Sequence, residues 1–399
     1  MDLAIVDETD LAVVPLGEAK TFPAKWYTSD EIFALEQDQI FRKTWQYAGT
    51  MAQVQRPGDF FTVEILGEPI VIVRDRDGEI RALSSVCTHR GGPVATGAGH
   101  QSVPFFQCRY HAWTFNFDGS VRSAPGLDSL REEKAGLCLP RIRVETWRSL
   151  IFVTLDKDTP ALAPSMAGID DVLQTDPIAD LKFQFSETFD IKSNWKIFQY
   201  NSHECYHCRT IHPDTVFNVL HPESLETLKT EDLWLYTRYK SKAVTGDALA
   251  SDVQSFGKPD EPAPKAMEGD ADDVGGFYAL HMFPNLMITY TPPGYAVLVR
   301  FIPQGPGRTL LVRDHYSADA DAAKIASAKA FREAVIAEDI EICETVQRNM
   351  SSRLFNRGRF VARNEWQSYW FEQRVREFIA RGTQPLAGTE YASDGGVRS

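Results

Sequence analysis

The sequence predicts an α+β protein with two unlike parts, an all-β domain over residues 45–158 and a larger mixed domain behind it. Three observations carry that prediction. Asp77-Gly78 and Asp118-Gly119 each stand between apolar runs, the pattern of tight β-hairpins. Past a Pro- and Asp-containing linker at 158–177, strand-like runs alternate with helix-length stretches. A chain of 399 residues is long enough for two or three ordinary hydrophobic cores.

The elements follow in order. Ser29-Asp30-Glu31 ahead of Ile32, Phe33, Leu35, Ile40 and Phe41 predicts a capped helix over 29–45. The runs at 60–65, 69–73, 80–86, 113–117 and 146–155 read as the strands of the β domain. In the second half, 183–191, 233–239, 287–290, 296–302 and 310–316 read as strands, with helices from Asn194 onward, over 318–350 and over 365–379. Residues 245–276 hold no sustained period and read as a long surface loop, or more sharply as a lid over a site. The tail from Gly382 is expected to fray, and no internal repeat is present.

Composition narrows the function. With 42 basic and 55 acidic residues the net charge is -13, and no basic block stands out, which argues against a nucleic-acid surface. The longest apolar runs, 69–73 and 150–155, are strand-sized, so no membrane span is expected. Residues 1–16 are acidic and lack the order of a secretory signal, which makes a cytoplasmic location the expectation. In that reducing setting the six cysteines are read for metal binding, redox work or burial rather than as a disulfide framework.

Cys87-Thr88-His89 and Cys108-Arg109-Tyr110-His111 each pair one thiolate with one imidazole on a hairpin-tip-like segment. Such a set is tetrahedrally competent for zinc, although common zinc modules pair Cys with Cys and His with His. Two mixed loops also suit a [2Fe–2S] cluster in which one iron keeps the thiolates and the other takes the imidazoles, raising the reduction potential.

These runs, Cys87-Thr88-His89-Arg90-Gly91-Gly92 and Cys108-Arg109-Tyr110-His111-Ala112-Trp113, resemble the Rieske motif. The 18 residues from Arg90 to Gln107, between His89 and Cys108, slightly exceed the family's usual spacing, which is read as a loop insertion near 97–102. Gly91, Gly92 and Pro93 would let the loop approach a cluster closely, and Tyr110 could donate to a cluster sulfur.

A second constellation lies downstream. On an ideal helix His207 and His212 would point far apart, so a break before Pro213 is required if they share an ion. In the C-terminal helical stretch Val335, Asp339, Ile342 and Val346 fall on one stripe, where Asp339 interrupts an apolar face. A carboxylate there needs a metal or a cationic partner, for which Arg332 and Arg348 are in reach, whereas Glu338, Glu341 and Glu344 read as solvated. Together His207, His212 and Asp339 would form the two-histidine, one-carboxylate triad of non-haem iron oxygenases, holding Fe(II) with positions open for O2.

Asn194-Trp195-Lys196, Glu204-Cys205-Tyr206-His207-Cys208, His212-Pro213 and Glu338-Asp339 with Glu344 and Gln347 resemble the catalytic domain of Rieske non-haem iron oxygenase alpha subunits. The resemblance implies a helical segment at 1–44 packed on the catalytic domain, a Rieske domain at 45–158, a helix-grip-like catalytic domain with an antiparallel sheet and C-terminal helices at 159–385, and a tail at 386–399. It implies a homotrimer or a multiple of one, in which Glu204 links His111 of one subunit to His207 of its neighbour. Tyr200 stands where many relatives carry Glu, and Cys205 and Cys208, with Cys138 and Cys343, read as packing residues.

The chain has no dinucleotide-binding glycine motif, so electrons should come from a separate NAD(P)H-dependent flavin or ferredoxin-type reductase. Glu204 rather than Asp resembles the carnitine, glycine betaine and stachydrine-type oxygenases, which implies N-demethylation of a betaine-like quaternary amine. Tyr200, Phe217, Phe277, Tyr278, Phe283 and Tyr290 are candidates for the aromatic wall that a cationic head favours. Hydroxylation or dioxygenation of an aromatic acid is the alternative within the class. A pure electron carrier or a zinc-binding protein is the alternative outside it.

Overall fold

The computed structural model describes residues 5–127, 134–173, 176, 178–216, 220, 224–240, 277–291, 294–318 and 322–381. The loop or lid expected over 245–276, Phe217 and the tail 386–399 lie outside the described residues. Among the described residues no helix is long and apolar enough to cross a membrane.

The N-terminal segment contributes helix α1 (Asp30–Glu36), capped by Ser29, whose hydroxyl accepts from the Ile32 amide at 3.2 Å. A wider turn continues it over Gln37–Phe41. The buried Phe22, Trp26, Ile32, Ile40 and Phe41 share a core with Trp195 and Phe198 from mid-sequence and with Trp370 and Phe371 from near its other end.

The β domain comprises β1 (Gln46–Thr50), β2 (Asp59–Ile65), β3 (Glu68–Arg74), β4 (Ile80–Ser84), β5 (Ala98–His100), β6 (Phe105–Gln107), β7 (Thr114–Asn116), β8 (Val121–Ser123), β9 (Arg141–Trp147) and β10 (Leu150–Thr154). Seven of these strands form one sheet in the order β1-β10-β9-β4-β3-β2-β5, and β6-β7-β8 form a second. Gly78 and Gly119 take left-handed backbone angles at the two Asp-Gly turns, as hairpins of this kind require. Two expectations change. The run 146–155 is a hairpin rather than one strand, because Arg148 turns the chain at φ 53 between β9 and β10. The stretch at 97–102, expected as a loop, pairs Ala98–His100 along β2 as an edge strand.

The sheet of the larger domain is antiparallel throughout, with strands β11 (Lys182–Ile191), β12 (Glu226–Thr230), β13 (Trp234–Tyr239), β14 (Phe277–Met282), β15 (Leu286–Thr291), β16 (Tyr295–Gly305) and β17 (Arg308–Ser317). Their order is β11-β17-β16-β15-β14-β13-β12. Both faces are covered, and the alternation along β16 shows how. Val297, Val299 and Phe301 face the core that holds Trp195 and Phe198, whereas Ala296 and Leu298 face Trp45, Tyr47 and Phe152 of the β domain. On the first face lie α2 (Trp195–His203), the short α3 (Cys208–Ile211), α4 (Ala322–Asn349) and α5 (Trp366–Arg381).

Helix α2 is fixed at its start by Asn194, whose side chain accepts from the Lys196 amide at 3.0 Å. The amide of Asn194 donates to Gln347 of α4 at 2.9 Å, and Lys192 N donates to Glu344 at 2.9 Å. Glu344, read as solvated, is therefore a tie between α4 and the strand leading into α2. Tyr200 donates to the buried Glu372 of α5 at 2.6 Å, so a carboxylate stands next to Tyr200 although the residue before Asn201 is not itself acidic.

Candidate metal centres and substrate cavity

The two cluster loops are local copies of one another. The Gly91 amide donates to Cys87 O at 2.9 Å and the Ala112 amide to Cys108 O at 3.1 Å. Cys87 N and Cys108 N donate to Gly92 O and Trp113 O, both at 2.8 Å. The fourth residue after each cysteine is left-handed, Gly91 at φ 70 and Ala112 at φ 61. Thus each loop folds back over its own cysteine and presents the following histidine outward.

Cys87 and Cys108 are 3% and 2% exposed, whereas His89 and His111 stand at the surface with ring centroids 4.6 Å apart. His89 stacks on Trp113 at 4.7 Å, and Tyr110 lies against His111 at 3.8 Å. Burial, with the facing Cys108, pushes the Cys87 thiol up from its ordinary value. A side chain at Gly92 would come within 3.1 Å of the Cys108 sulfur and of Tyr110, so the glycine keeps the thiols' surroundings open. Paired inner thiols and paired outer imidazoles fit a [2Fe–2S] group with unlike irons.

The second centre begins where α2 stops. Glu204 takes an extended backbone, φ -138 and ψ 166, and the chain resumes as α3 with His207 at its N-terminal end and His212 just past its C-terminal end. The break expected between the two histidines falls at His212, which leaves helical geometry at φ -118 and ψ 44 just before Pro213. The separation of α2 from α3 at 204–207 is held by Glu204. One of its carboxylate oxygens accepts from the amides of Tyr206 and His207, and the other lies 2.6 Å from His207 Nδ1. From α4, Asp339 Oδ1 lies 3.0 Å from His212 Nε2 and 3.5 Å from His207 Nε2. Asn201 Nδ2 stands 3.3 Å from His207 Nε2.

The structure therefore brings His207, His212 and Asp339 together, with Glu204 behind the first. Neither Arg332 nor Arg348 pairs with Asp339; among the described residues its partners are the two histidines. Glu338, read as solvated, lies 2.7 Å from His212 Nδ1 and accepts from Thr215 at 2.8 Å. Sequence reasoning missed it because its wheel position points beside the stripe, toward α3 rather than toward water; Glu338-Asp339 adjacent to one another was the available signal. Cys205 and Cys208, read as packing residues, are joined as a disulfide that brackets His207.

The electrostatics of the donor set favour a cation. Burial opposes charge on His207, but hydrogen bonds and charges from Asp339 and Glu204 outweigh it and hold the imidazole at about 9. His212 is raised in the same way, against burial, by Asp339 and Glu338. Burial raises Asp339, yet the two histidines hold it below its ordinary value. The cluster thus calls for positive charge at the point where both Nε2 atoms and Oδ1 meet. Carboxylates on both Nδ1 atoms fix the tautomer that turns Nε2 toward a metal. These residues fit a mononuclear iron.

A cavity of about 230 Å³ opens from this centre. Its aromatic lining is Phe198, Tyr239, Phe277, Phe301 and Phe331. Of the aromatic residues expected from the sequence, Phe277 is in the wall. Tyr200 and Phe283 pack in the core around α2 and α5, and Tyr278 and Tyr290 pack toward the β domain.

Comparison with known proteins agrees with this geometry. Residues 44–139 match the Rieske [2Fe-2S] domain, and residues 178–381 match the ring hydroxylating alpha subunit (catalytic domain). The chain is 29% identical over 354 residues to the carnitine monooxygenase oxygenase subunit of Escherichia coli K12, covering 86% of this chain and 88% of that one. It is 28% identical over 372 residues to the chloroplastic choline monooxygenase of Spinacia oleracea, covering 90% and 78%. A quaternary ammonium Rieske monooxygenase solved with L-carnitine aligns at TM-score 0.72 and 25% identity over 90% of this chain and 96% of that one. Naphthalene 1,2-dioxygenase from Rhodococcus sp. shares the fold at TM-score 0.72 and 18% identity over 92% and 95%. Enzymes of this kind work with a separate reductase and form multimers. The chain belongs to the ring-hydroxylating alpha subunits, and it is a Rieske non-haem iron oxygenase whose cofactors are a [2Fe–2S] cluster and a mononuclear iron.

Proposed function

We propose that the chain is the terminal oxygenase component of a cytoplasmic, NAD(P)H-driven system and removes an N-methyl group from a betaine-like quaternary amine. Cys87, His89, Cys108 and His111 would hold the cluster, and His207, His212 and Asp339 the iron. The observation that carries the reading is the convergence of His207 Nε2 and His212 Nε2 on Asp339 Oδ1 with Glu204 hydrogen-bonded behind His207. The relatives named for carnitine and choline support the substrate class.

When bound, the two iron groups supply electron storage and dioxygen reduction. The chain's own residues do the rest. His111 stands at the surface, where a flavin or ferredoxin-type reductase and a neighbouring subunit of a homotrimer can both approach it. Glu204 holds His207 by Nδ1 and would receive His111 of the neighbour. The aromatic rings keep water from the reacting carbon and face the cationic head. Overall, O2, two electrons and two protons convert one N-methyl to N-hydroxymethyl and water, and the hydroxymethyl amine then collapses to the tertiary amine, formaldehyde and a proton.

Iron and acid-labile sulfide counts test the centres, with about three irons and two sulfides per chain expected. Substrate-stimulated NADH and O2 consumption, with formaldehyde release, tests the reaction across glycine betaine, carnitine, γ-butyrobetaine and proline betaine against benzoate. Zinc in place of iron would overturn the oxygenase assignment of these residues. Stimulation by benzoate alone would overturn the substrate class in favour of an aromatic acid.

A further inference from the structure

The inner face of α4 lines the cavity with Ala328, Phe331, Arg332, Val335, Ile336 and Asp339. This is the i, i+3, i+4, i+7 stripe of one helical side. Asp339 stands at the iron end, and Arg332 stands two turns before it, about 10 Å along the axis. Arg313 of β17 enters the wall beside it, 6% exposed, and donates to the Arg332 carbonyl at 3.3 Å. The cavity wall therefore carries two neighbouring guanidinium groups among mostly apolar side chains, Arg332 standing two turns of α4 from Asp339.

Their compensation within the chain is incomplete. Arg332 lies over the Tyr295 ring at 4.4 Å; the Glu187 charge reaches it, but among the described residues no carboxylate stands within ion-pair distance of it. Glu187 lies 3.8 Å from Arg313, beyond a hydrogen bond, and one of its oxygens is 2.8 Å from His315 Nε2 while the other is buried without a hydrogen-bond partner. His315 Nδ1 in turn lies 2.6 Å from the Tyr295 hydroxyl, so Glu187, His315 and Tyr295 form a brace behind the arginines. Burial, together with the like charge of Arg332, pushes Arg313 down to about 10. Two like charges on an apolar wall are costly unless an anion meets them, and planar guanidinium groups match a carboxylate.

We propose that Arg332 and Arg313 hold the carboxylate of the substrate, so that the quaternary amine is a zwitterion with about five bonds between its carboxylate carbon and the carbon oxidised. An extended chain of about five bonds covers roughly 6 Å, and contacts at its two ends supply the remaining distance to the iron site. γ-Butyrobetaine and carnitine meet that length. Glycine betaine, two bonds shorter, and choline, with no anion, do not. The proposal rests on the assignment of this cavity to the substrate of the iron centre.

The test compares γ-butyrobetaine with its carboxamide, which keeps the quaternary amine but lacks the anionic carboxylate, and with choline, in coupled O2 consumption by the reconstituted holoenzyme. The zwitterion is expected to exceed the amide by about 100-fold in kcat/KM, mostly through KM. Arg332→Gln should shrink that ratio to within threefold, and Arg332→Lys should recover at least a tenth of it, with the cluster spectrum and melting temperature confirming the fold. Equal kcat/KM for zwitterion and amide in the wild type, or a ratio unmoved by Arg332→Gln, would overturn the proposal while leaving N-demethylation intact. If no quaternary amine is consumed, demethylation itself falls, and calorimetric binding of hexanoate and benzoate decides the anion site separately. Binding that Arg332→Gln abolishes supports the site, and no binding to the wild type overturns it.

Discussion

The cluster loops draw all four donors from neighbouring turns of one small domain, 87–111, while the iron donors come from a helix break at 207–212 and from a helix more than a hundred residues onward. The cluster donors are set by local backbone: each cysteine's carbonyl and amide are closed by its own loop, and a left-handed residue completes the turn. The iron donors are set by tertiary contact, Glu204 and Glu338 holding the imidazoles while Asn194 and Gln347 fix α4 against α2. A local site is disturbed by a change of shape inside its loop. A dispersed site is disturbed by a change of charge around it.

Asp339→Ala gives the largest expected effect: turnover falls by at least about 10³-fold and the mononuclear iron is lost, while the visible cluster spectrum persists. Metal analysis beside the absorbance spectrum separates the two centres. Gly92→Val is the converse. Its side chain would meet the Cys108 sulfur and Tyr110, so cluster loading should drop severalfold while mononuclear iron, counted on the same sample, is retained.

Glu338→Gln should weaken iron retention by about 10 to 100-fold, read as the chelator concentration that strips half the mononuclear iron, with the cluster content unchanged.

Acid should break the catalytic core before the β domain. His203 and His281 stack at 4.3 Å in that core, and His203 Nε2 and His281 Nδ1 are buried without hydrogen-bond partners. Burial holds His203 down at about 4 and His281 well below its ordinary value. A histidine lowered in the fold takes up its proton more readily when unfolded, so its contribution is full above about 6.5 and is lost as pH falls toward the folded value. For His203 that loss amounts to about 3 kcal/mol. In the β domain, the Arg56 amide and His100 hold Asp59 at about 2, placing its loss between the ordinary carboxylate value and that point. Tryptophan fluorescence should therefore begin to report unfolding at a higher pH than the visible cluster band in an acid titration; coincident transitions would contradict the ordering.

The smallest effect is expected at Ala112, which holds the left-handed angle that glycine holds at the equivalent position 91. Ala112→Gly should stabilise the cluster loop by up to about 1 kcal/mol, visible as a rise of a degree or two in the temperature at which cluster colour is lost.

The same contrast explains what could be read from the sequence. Cys87, His89, Cys108 and His111 announce themselves because a local turn leaves a local spacing. Asp339 is legible as a charge on an apolar stripe, but its partners are not, and Arg332 was in reach on the same wheel. Glu338 was misread because a helical wheel records direction without saying what occupies it. The aromatic wall failed for a related reason: Phe198, Phe301 and Phe331 face inward by alternation or helical phase, which cannot be assigned until the sheet has chosen its two faces. The run 146–155 concealed its hairpin because Arg148 turns the chain without glycine.

Glu372 of α5 receives the Phe22 amide at 3.2 Å and the Tyr200 hydroxyl at 2.6 Å, and it pairs with Arg376. This one carboxylate thereby fastens the N-terminal segment to α5, the last of the described helices, across the helix that leads to the iron site. On the ribosome, the β domain has every strand it needs once residue 154 has emerged, but α2 waits for residue 372. At about 5 to 20 residues per second, that interval lasts on the order of ten to forty seconds. The cluster domain can thus be folded and receptive while the second half is still being made, so the nascent chain acquires its two metal capacities in sequence.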